Sequence, residues 1–212
     1  MSEAKTEDYG WDATTPESSG YINPAVRRLV RQYAPKDVLD VGCGNGVLCG
    51  DLAQDGYNVI GVDADTKAIA IAREKFPAPR FEEISLDDAP ADIATTPDRK
   101  FDVVVSTEVI EHVYSPHKWA SFCFDALRPG GTLIATTPYH GYAKNMALSL
   151  LDKWDHHHDP LWYGGHIKFW SRTTLSKLLT DAGFEVTGFE GVGRLPYLWK
   201  SMILIARKPG SA

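Results

Sequence analysis

The stretch VLDVGCGNG, residues 38–46, decides the fold of this chain. Its apolar start predicts a buried strand, and Gly42, Gly44 and Gly46 follow in a loop. Glycines in such a loop let the backbone adopt positive φ and approach a ligand closely. The next apolar run, NVIGVD, ends on Asp63, about 20 residues on, where a carboxylate suits the hydroxyls of a ribose. The pattern predicts a site for a nucleoside-bearing cofactor.

The acidic residue Asp40 narrows the choice of cofactor. A dinucleotide loop has the spacing G-x-G-x-x-G and aims a helix N-terminus at a pyrophosphate, whereas this loop reads G-x-G-x-G. Asp40 stands two residues before Gly42, where a carboxylate would repel a phosphate but attract an ammonium or a sulfonium group. The loop therefore favours a cationic cofactor and makes a nicotinamide dehydrogenase the least favoured alternative.

The loop resembles the first motif of the class I S-adenosylmethionine-dependent methyltransferases, whose pattern is roughly D-x-G-x-G-x-G. The resemblance continues through FDVVVSTEVIEHV (101–113) and LRPGGTLIATTP (127–138), so three ordered motifs agree. It implies S-adenosylmethionine as the cofactor and methyl transfer as the activity. By position it implies cofactor contacts from Asp40, the three glycines, Asp63, Ala64, Leu86 and Thr107.

Strand-like and helix-like runs alternate along the chain. Strands are predicted at 37–41, 57–63, 79–84, 101–106, 131–137, 184–192 and 201–208, and helices at 22–33, 46–55, 65–75, 115–127 and 171–183. This alternation favours an α/β fold, a mostly parallel, Rossmann-like sheet with helices on both faces. The resemblance adds that seven strands are present and that the last is antiparallel. We expect a single methyltransferase domain over 1–212, with a flexible or lid-like lead at 1–20 and a substrate-side insert at 139–170.

Glu108, Glu111 and His112 follow the predicted fourth strand in STEVIEHV. Parallel α/β sheets bind ligands at the carboxyl ends of their strands. If the chain turns helical there, the spacing i, i+3 and i+4 places all three side chains on one face. Two carboxylates and an imidazole can bind a divalent metal, Mg²⁺ through the carboxylates or Zn²⁺ or Mn²⁺ with the imidazole.

The same stretch is similar to the E-x-x-E-H sequence that holds a metal in the ubiquinone-biosynthesis O-methyltransferases. GYINPAVR (20–27) and GGHIKFWSRTTL (164–175) extend the similarity, although Tyr21 stands where that family has an arginine. The small-RNA 3′-terminal 2′-O-methyltransferases also combine E-x-x-E-H with a downstream histidine, here His166. The resemblance implies Glu108, Glu111, His112 and His166 as metal ligands, and His112, Glu111 and His166 as catalytic residues.

A second interpretation of this cluster needs no metal. A glutamate after the fourth strand can cap a helix N-terminus, and a histidine there can pack over the cofactor. His112 can also act as a general base that takes a proton from an acceptor hydroxyl. Both interpretations stay open at the level of sequence.

The insert at 139–170 holds five of the seven histidines and many aromatic residues. Long irregular segments in compact domains tend to be functional. AKNMALSLLDKW predicts an amphipathic helix whose Met146, Leu150 and Leu151 face a substrate or a membrane surface. The alternative is that the helix packs on the sheet, which the pattern favours for Leu148 and Leu151. We expect the histidines at 156–158 to lie in a solvated loop. Beyond the insert, Arg194 and Lys200 are candidates to meet an anionic substrate group.

Composition points to one soluble, cytoplasmic domain. The chain has no run of 18 apolar residues, no apolar leader after the first methionine, and three cysteines without metal-finger spacing. Residues 1–138 carry a net charge of −9 and residues 139–212 carry +3. Neither half therefore has the clustered positive charge that binds a nucleic-acid backbone, and nucleic acid is an unlikely partner.

We expect an O-methyltransferase that acts on a small or lipid-linked molecule, and the sequence also allows a peripheral contact with a membrane. An RNA 3′-terminal 2′-O-methyltransferase and a non-catalytic cofactor-binding module are the alternatives.

Overall fold

The computed structural model describes residues 12, 14–88, 90–93, 100–158, 161 and 164–210. Seven strands form one sheet: β1 Asp37–Val41, β2 Asn58–Asp63, β3 Arg80–Glu83, β4 Phe101–Thr107, β5 Leu127–Pro138, β6 Glu185–Val192 and β7 Ser201–Arg207. The helices are α1 Ser19–Gln32, α2 Val47–Gln54, α3 Thr66–Lys75, α4 Pro116–Ala126, α5 Tyr142–Leu150, α6 Trp154–His158 and α7 Arg172–Asp181, with a 3₁₀ turn at Pro90–Ile93.

The strand order is β3-β2-β1-β4-β5-β7-β6. Strands β1 to β5 pair in parallel, and β7 is antiparallel to both of its neighbours, β5 and β6. This confirms the predicted mostly parallel sheet with an antiparallel last strand. The chain reverses its direction of travel across the sheet between β1 and β4, and such a switch point opens a crevice at the carboxyl ends of the strands.

Both faces of the sheet are covered by helices. Successive side chains of a strand point to opposite faces, so Val38 joins a core with α1, α2 and α3, while Leu39 joins a core with α4 and α7. The largest fully buried side chain, Trp119 of α4, donates its indole N–H to Ser106 Oγ at 3.1 Å. This double covering makes the sheet a rigid base for the loops at its carboxyl edge.

Two predicted boundaries move by three residues or more in the structure. Helix α1 begins at Ser19, so it takes in the end of the predicted lead, whose residues 1–11 and 13 lie outside the described residues. Strand β5 begins at Leu127, four residues before its predicted start. Leu127 pairs with Phe101, and the register then shifts before the main β4–β5 ladder begins.

The insert contains two helices, α5 and α6. Tyr142, Met146 and Leu150 form an exposed stripe at i, i+4 and i+8 of α5. Leu151, expected to pack on the sheet, is 66% exposed, so that expectation was wrong. Within the described part of the chain, no helix combines the length and hydropathy that a membrane span requires.

Candidate functional site

A cavity of about 1110 Å³ opens at the carboxyl ends of β1, β2 and β4. Its lining also includes residues of α5 and of the segment between β6 and β7, so one space joins the glycine loop to the insert. The predicted cofactor residues that line it are Asp40, Gly42, Asp63, Ala64, Leu86 and Thr107. The structure therefore brings these sequence-distant residues to a common site.

The glycines of the loop are required for different structural reasons. Gly42 has φ 76°, and a Cβ added there would lie 2.4 Å from Val109 Cγ2, so only glycine fits this wall of the cavity. Gly46 also has positive φ, but an added Cβ would lie 2.8 Å from Ala72 Cβ. Gly46 is therefore required for packing against α3, and neither Gly46 nor Gly44 is among the lining residues.

Asp63, at the end of β2, stabilises the glycine loop through a hydrogen bond. Its Oδ2 accepts the backbone N–H of Gly44 at 2.9 Å, and its Oδ1 accepts that of Asp65 at 2.9 Å. Burial raises the pKa of this carboxyl above its usual value. A carboxylate has about four acceptor positions, so two backbone bonds leave capacity for ligand hydroxyls.

Asp40 is buried, with 1% of its surface exposed. Its Oδ2 accepts a hydrogen bond from the Cys49 thiol at 3.2 Å, and its Oδ1 has no partner among the described residues. Burial raises the pKa of Asp40 to about 7. An unpartnered buried carboxylate oxygen in a cavity suits a positively charged ligand, which would restore the lost solvation.

Glu108 does not join the other residues of its motif. The chain after β4 forms a turn rather than the helix that would have put Glu108, Glu111 and His112 on one face, so that expectation was wrong. Glu108 has φ 53°, and its carboxylate accepts hydrogen bonds from Thr136 Oγ1 at 2.8 Å and Ser201 Oγ at 3.0 Å. Burial raises its pKa to about 7.

Glu111, His112 and His166 do come together, with ligand atoms that all lie within 4.8 Å of one another. Glu111 is 1% exposed; Thr137 Oγ1 donates to its Oε2 at 3.0 Å, while its Oε1 has no partner among the described residues. Burial, and then the charge of Glu108, raise the pKa of Glu111 well above its usual range. Three of the four predicted ligands thus form one group, and Glu108 is not part of it.

The backbone of the insert orients His112. Its Nδ1 lies 2.7 Å from the carbonyl oxygen of Gly164, so Nδ1 carries the proton and Nε2 is the acceptor nitrogen. Burial lowers the pKa of His112, which keeps the ring neutral near pH 7. The ring of His166 stands edge-on to it, with centroids 4.9 Å apart. Metal-binding histidines are commonly oriented by such a carbonyl contact, so this group fits a divalent ion, and two imidazoles favour Zn²⁺ or Mn²⁺ over Mg²⁺.

A second group of histidines lies in the insert. Ligand atoms of His140, His157 and His158 also lie within 4.8 Å of one another. His158 stacks on Trp154, and both of its ring nitrogens are buried without a hydrogen-bond partner among the described residues. The expected solvated loop was therefore wrong, because α6 turns His158 toward His140.

Sequence reasoning missed Lys144. This lysine is 6% exposed and lies on the buried side of α5, where it lines the cavity. Arg194 and Lys200, which were predicted, line the same end of the cavity. The sequence does contain a signal for it. Lys144 stands three, four and seven residues before Ala147, Leu148 and Leu151, and this spacing places it on a helical face with apolar residues.

Comparison with known sequences gives one family and several relatives. The sequence model of a methyltransferase domain family matches residues 18–188. A Mycolicibacterium smegmatis protein named "Probable S-adenosylmethionine-dependent methyltransferase" is 32% identical over 78% of this chain, which spans 58% of that protein. Ubiquinone biosynthesis O-methyltransferases of Azoarcus sp. and Thiobacillus denitrificans are each 32% identical, over 75% and 81% of this chain and 68% and 75% of theirs.

Solved structures show the same fold. A S-adenosylmethionine-dependent methyltransferase from Methanosarcina mazei superposes with a TM-score of 0.66 at 22% identity, covering 86% of this chain and 98% of that one. The methyltransferase domain of bacterial CtHen1 superposes with a TM-score of 0.65 at 20% identity, covering 87% and 96%. These likenesses concern the fold alone.

Proposed function

Because the chain belongs to the methyltransferase domain family, we propose that it transfers the methyl group of S-adenosylmethionine to a hydroxyl group of a small or lipid-linked acceptor. The observation that carries the proposal is that one cavity holds both the acidic loop end, at Asp40 and Asp63, and the His112–His166 pair. The ubiquinone biosynthesis O-methyltransferases among the relatives support a hydroxyl as the acceptor.

The loop end of the cavity fits the methyl donor. Asp63 has acceptor capacity for two ribose hydroxyls, and the missing side chain at Gly42 lets the ligand approach the backbone. Asp40 supplies a negative charge for the ammonium and sulfonium groups. S-adenosylmethionine itself supplies an activated methyl group, so the protein has to align the acceptor oxygen, exclude water and remove a proton.

His112 is the candidate for removing that proton. Its Nε2 is an acceptor because Nδ1 donates to Gly164, and its lowered pKa keeps it unprotonated near pH 7. As the acceptor oxygen attacks the methyl carbon, its hydroxyl proton passes to Nε2, and the carbon–sulfur bond breaks to leave S-adenosylhomocysteine. A neutral, positioned imidazole suits this general-base role.

Metal assistance is the alternative to this general-base role, because the one lone pair of His112 Nε2 cannot bind an ion and accept a proton at the same time. Glu111, His112 and His166 would hold the ion, and the unpartnered Oε1 of Glu111 supports this ligand set. A bound divalent ion would polarise an acceptor hydroxyl and lower its pKa. Under this alternative, purified protein contains about one equivalent of metal, and Glu111→Gln and His166→Ala lose most of it. Elemental analysis of these variants beside His117→Ala, an exposed histidine on α4, checks this; full metal content in Glu111→Gln would contradict it.

The exposed apolar stripe on α5 supports a lipid-linked acceptor. Tyr142 and Leu150 are 80% and 79% exposed. Leu195 and Tyr197, which follow the cavity-lining residue Arg194 in the chain, are also exposed. Exposed apolar side chains on two segments that also line the cavity, at Lys144 and Arg194, are typical of a protein that meets an apolar ligand or a membrane surface.

The experiment that tests the proposed function measures transfer of labelled methyl from S-adenosylmethionine to a panel of acceptors. The panel contains catechol and hydroquinone, the corresponding aromatic amines, and short single-stranded RNA. We expect the label in the methyl ether of a hydroxyl acceptor. Label on an amine would contradict the hydroxyl assignment, and label on the RNA 3′ end, with salt-sensitive binding, would favour the RNA alternative. Tight cofactor binding with no transfer to any acceptor would favour a non-catalytic module.

The unpaired carboxylate of Asp40 predicts a pH-dependent affinity for the methyl donor. The pKa of Asp40 in the free protein is raised to about 7, so the charge that attracts the ligand is present above pH 7 and is lost as the pH falls below it. We expect affinity for S-adenosylmethionine to rise about tenfold between pH 6 and pH 8, and Asp40→Asn to weaken binding and flatten the profile. Calorimetry measures both, with Asp125→Asn, an exposed aspartate on α4, as the control. A steep profile that survives in Asp40→Asn would contradict this assignment.

A further inference from the structure

Lys144 is a buried lysine without a carboxylate partner. Its side chain is 6% exposed, and its Nζ donates to the backbone oxygen of Lys200 at 3.4 Å; no ion pair of Lys144 exists among the described residues. Lysine is almost never fully buried unless it is paired. A buried ammonium in a cavity wall therefore lacks the negative charge that such groups normally have beside them.

Glu108 does not supply that charge. Its two oxygens accept hydrogen bonds from Thr136 and Ser201, and it forms no ion pair with Lys144. The charge of Glu108 acts on Lys144 only as the weakest of the influences on its pKa, which burial and then Arg194 lower to about 8. Lys144 therefore keeps a positive charge near pH 7, which Glu108 offsets only in part and without a direct contact.

Two further cations line the same end of the cavity. Arg194 lies after β6 and makes no ion pair within the described part of the chain. Lys200 precedes β7, where it pairs with the exposed carboxylate of Glu17 at 3.1 Å and lies over the Tyr21 ring. Asp40 and Asp63 line the cavity at the glycine loop, whereas this end, called the basic end, holds three cations beside the two carboxylates of Glu17 and Glu108.

His140 and His158 lie close enough to Lys144 for its charge to lower their pKa values. Burial lowers the pKa of His140 to about 3 and lowers that of His158, and in both cases the charge of Lys144 adds to the effect. A positive field favours an anion and opposes a cation. Lys144 would therefore repel a metal ion at His140, His157 and His158 and attract an anion, whereas its effect on the pKa of His166 is the smallest of those that act on that ring.

We propose that the basic end is a subsite for an anionic group of the methyl acceptor, a carboxylate or a phosphate, bound by Lys144 and Arg194. The proposal rests on the proposed function, since it names the class of acceptor that the methyltransferase takes. The acceptor would then lie across the cavity, with its anionic group at α5 and its hydroxyl toward His112. A buried ammonium and a guanidinium are the side chains that bind such groups in proteins.

The test uses matched acceptors that differ in one charge. Methyl transfer to dihydroxybenzoate and to dihydroxyphenyl phosphate is compared with transfer to the neutral methyl ester of dihydroxybenzoate. We expect kcat/KM for at least one anionic acceptor to exceed that for the ester by about tenfold to a hundredfold. Lys144→Met should remove this preference, so that the ratio of kcat/KM for the anionic acceptor to that for the ester falls to about one. Arg194→Gln, at an exposed position where folding is not at stake, should reduce it in the same direction.

A binding measurement separates this proposal from the proposed function. Protein saturated with S-adenosylhomocysteine is titrated with benzoate and with inorganic phosphate, and no methyl transfer is needed. We expect binding of one of them that Lys144→Met and Arg194→Gln weaken, with unchanged affinity for S-adenosylhomocysteine. Which probe binds tells a carboxylate from a phosphate.

Three results would overturn the proposal. Equal kcat/KM for the ester and both anionic acceptors would show that the charge is not recognised. A stoichiometric metal that is lost in His158→Ala but kept in Glu111→Gln would place a cation where the anion is expected. Tight, salt-sensitive binding of short RNA that depends on Lys144 would assign the basic end to a nucleic acid instead of a small acceptor.

Discussion

Replacing Asp63 by alanine is expected to weaken binding of S-adenosylmethionine by about a hundredfold or more. The substitution removes the proposed acceptor of two ribose hydroxyls, and hydrogen bonds to a charged group contribute about 1.5–3 kcal/mol each. It also leaves the Gly44 and Asp65 N–H groups without their acceptor, which loosens the loop that shapes the cavity. Isothermal titration calorimetry with S-adenosylhomocysteine, which has the same ribose, measures the effect.

Asp63→Asn is the matched control for this variant. The amide keeps one oxygen acceptor and the size of the side chain but loses the charge, so we expect an intermediate loss of affinity. Thermal denaturation of both variants identifies any general loss of stability. Wild-type affinity in a folded Asp63→Ala variant would remove Asp63 from the cofactor site.

Replacing His112 by alanine is expected to lower kcat by about 10²–10⁴-fold while leaving the affinity for S-adenosylhomocysteine within about twofold. The imidazole is the proposed acceptor for the proton of the substrate hydroxyl, and the Gly164 carbonyl orients it. Loss of the base slows the chemical step, whereas the cofactor contacts at the loop end stay in place. Single-turnover rates with saturating cofactor measure the chemical step directly.

His117→Ala is the control for His112→Ala, because His117 is exposed on α4 and does not line the cavity. Wild-type rates are expected for it. If His112→Ala also keeps the wild-type single-turnover rate, His112 is not the general base. If it instead loses cofactor affinity with an unchanged rate constant, the ring packs on the cofactor and has no part in the proton transfer.

The sheet and the cofactor end were predictable because their signals are local. The strand, glycine and carboxylate pattern of residues 38–63 reports a strand–turn–helix unit whose geometry is fixed by neighbouring residues in the chain. Positive φ at Gly42 and the Asp63–Gly44 hydrogen bond are consequences of that unit. Helix boundaries moved by a few residues, as at Ser19, because caps and pairing partners decide them.

The part of the cavity near Glu108, Glu111 and His112 was less predictable, because its contacts are distant in sequence. Glu108 looks equivalent to Glu111 in the motif, yet it turns toward Thr136 and Ser201, 28 and 93 residues away. Its positive φ breaks the helical spacing on which the motif argument depended. Lys144 was missed and His158 was misjudged, since the packing of α5 and α6 decides which of their faces is buried.

The most direct test of the proposed activity is a single-turnover reaction with the protein in excess over S-adenosylmethionine labelled in its methyl group. A hydroxylated aromatic acceptor is added, and the products are identified by mass spectrometry. We predict that the label appears in the methyl ether of the acceptor, with S-adenosylhomocysteine formed in equal amount and the rate strongly reduced in His112→Ala. Label that stays on fully bound S-adenosylmethionine, or that appears on nitrogen when an amine is offered beside the hydroxyl, would contradict it.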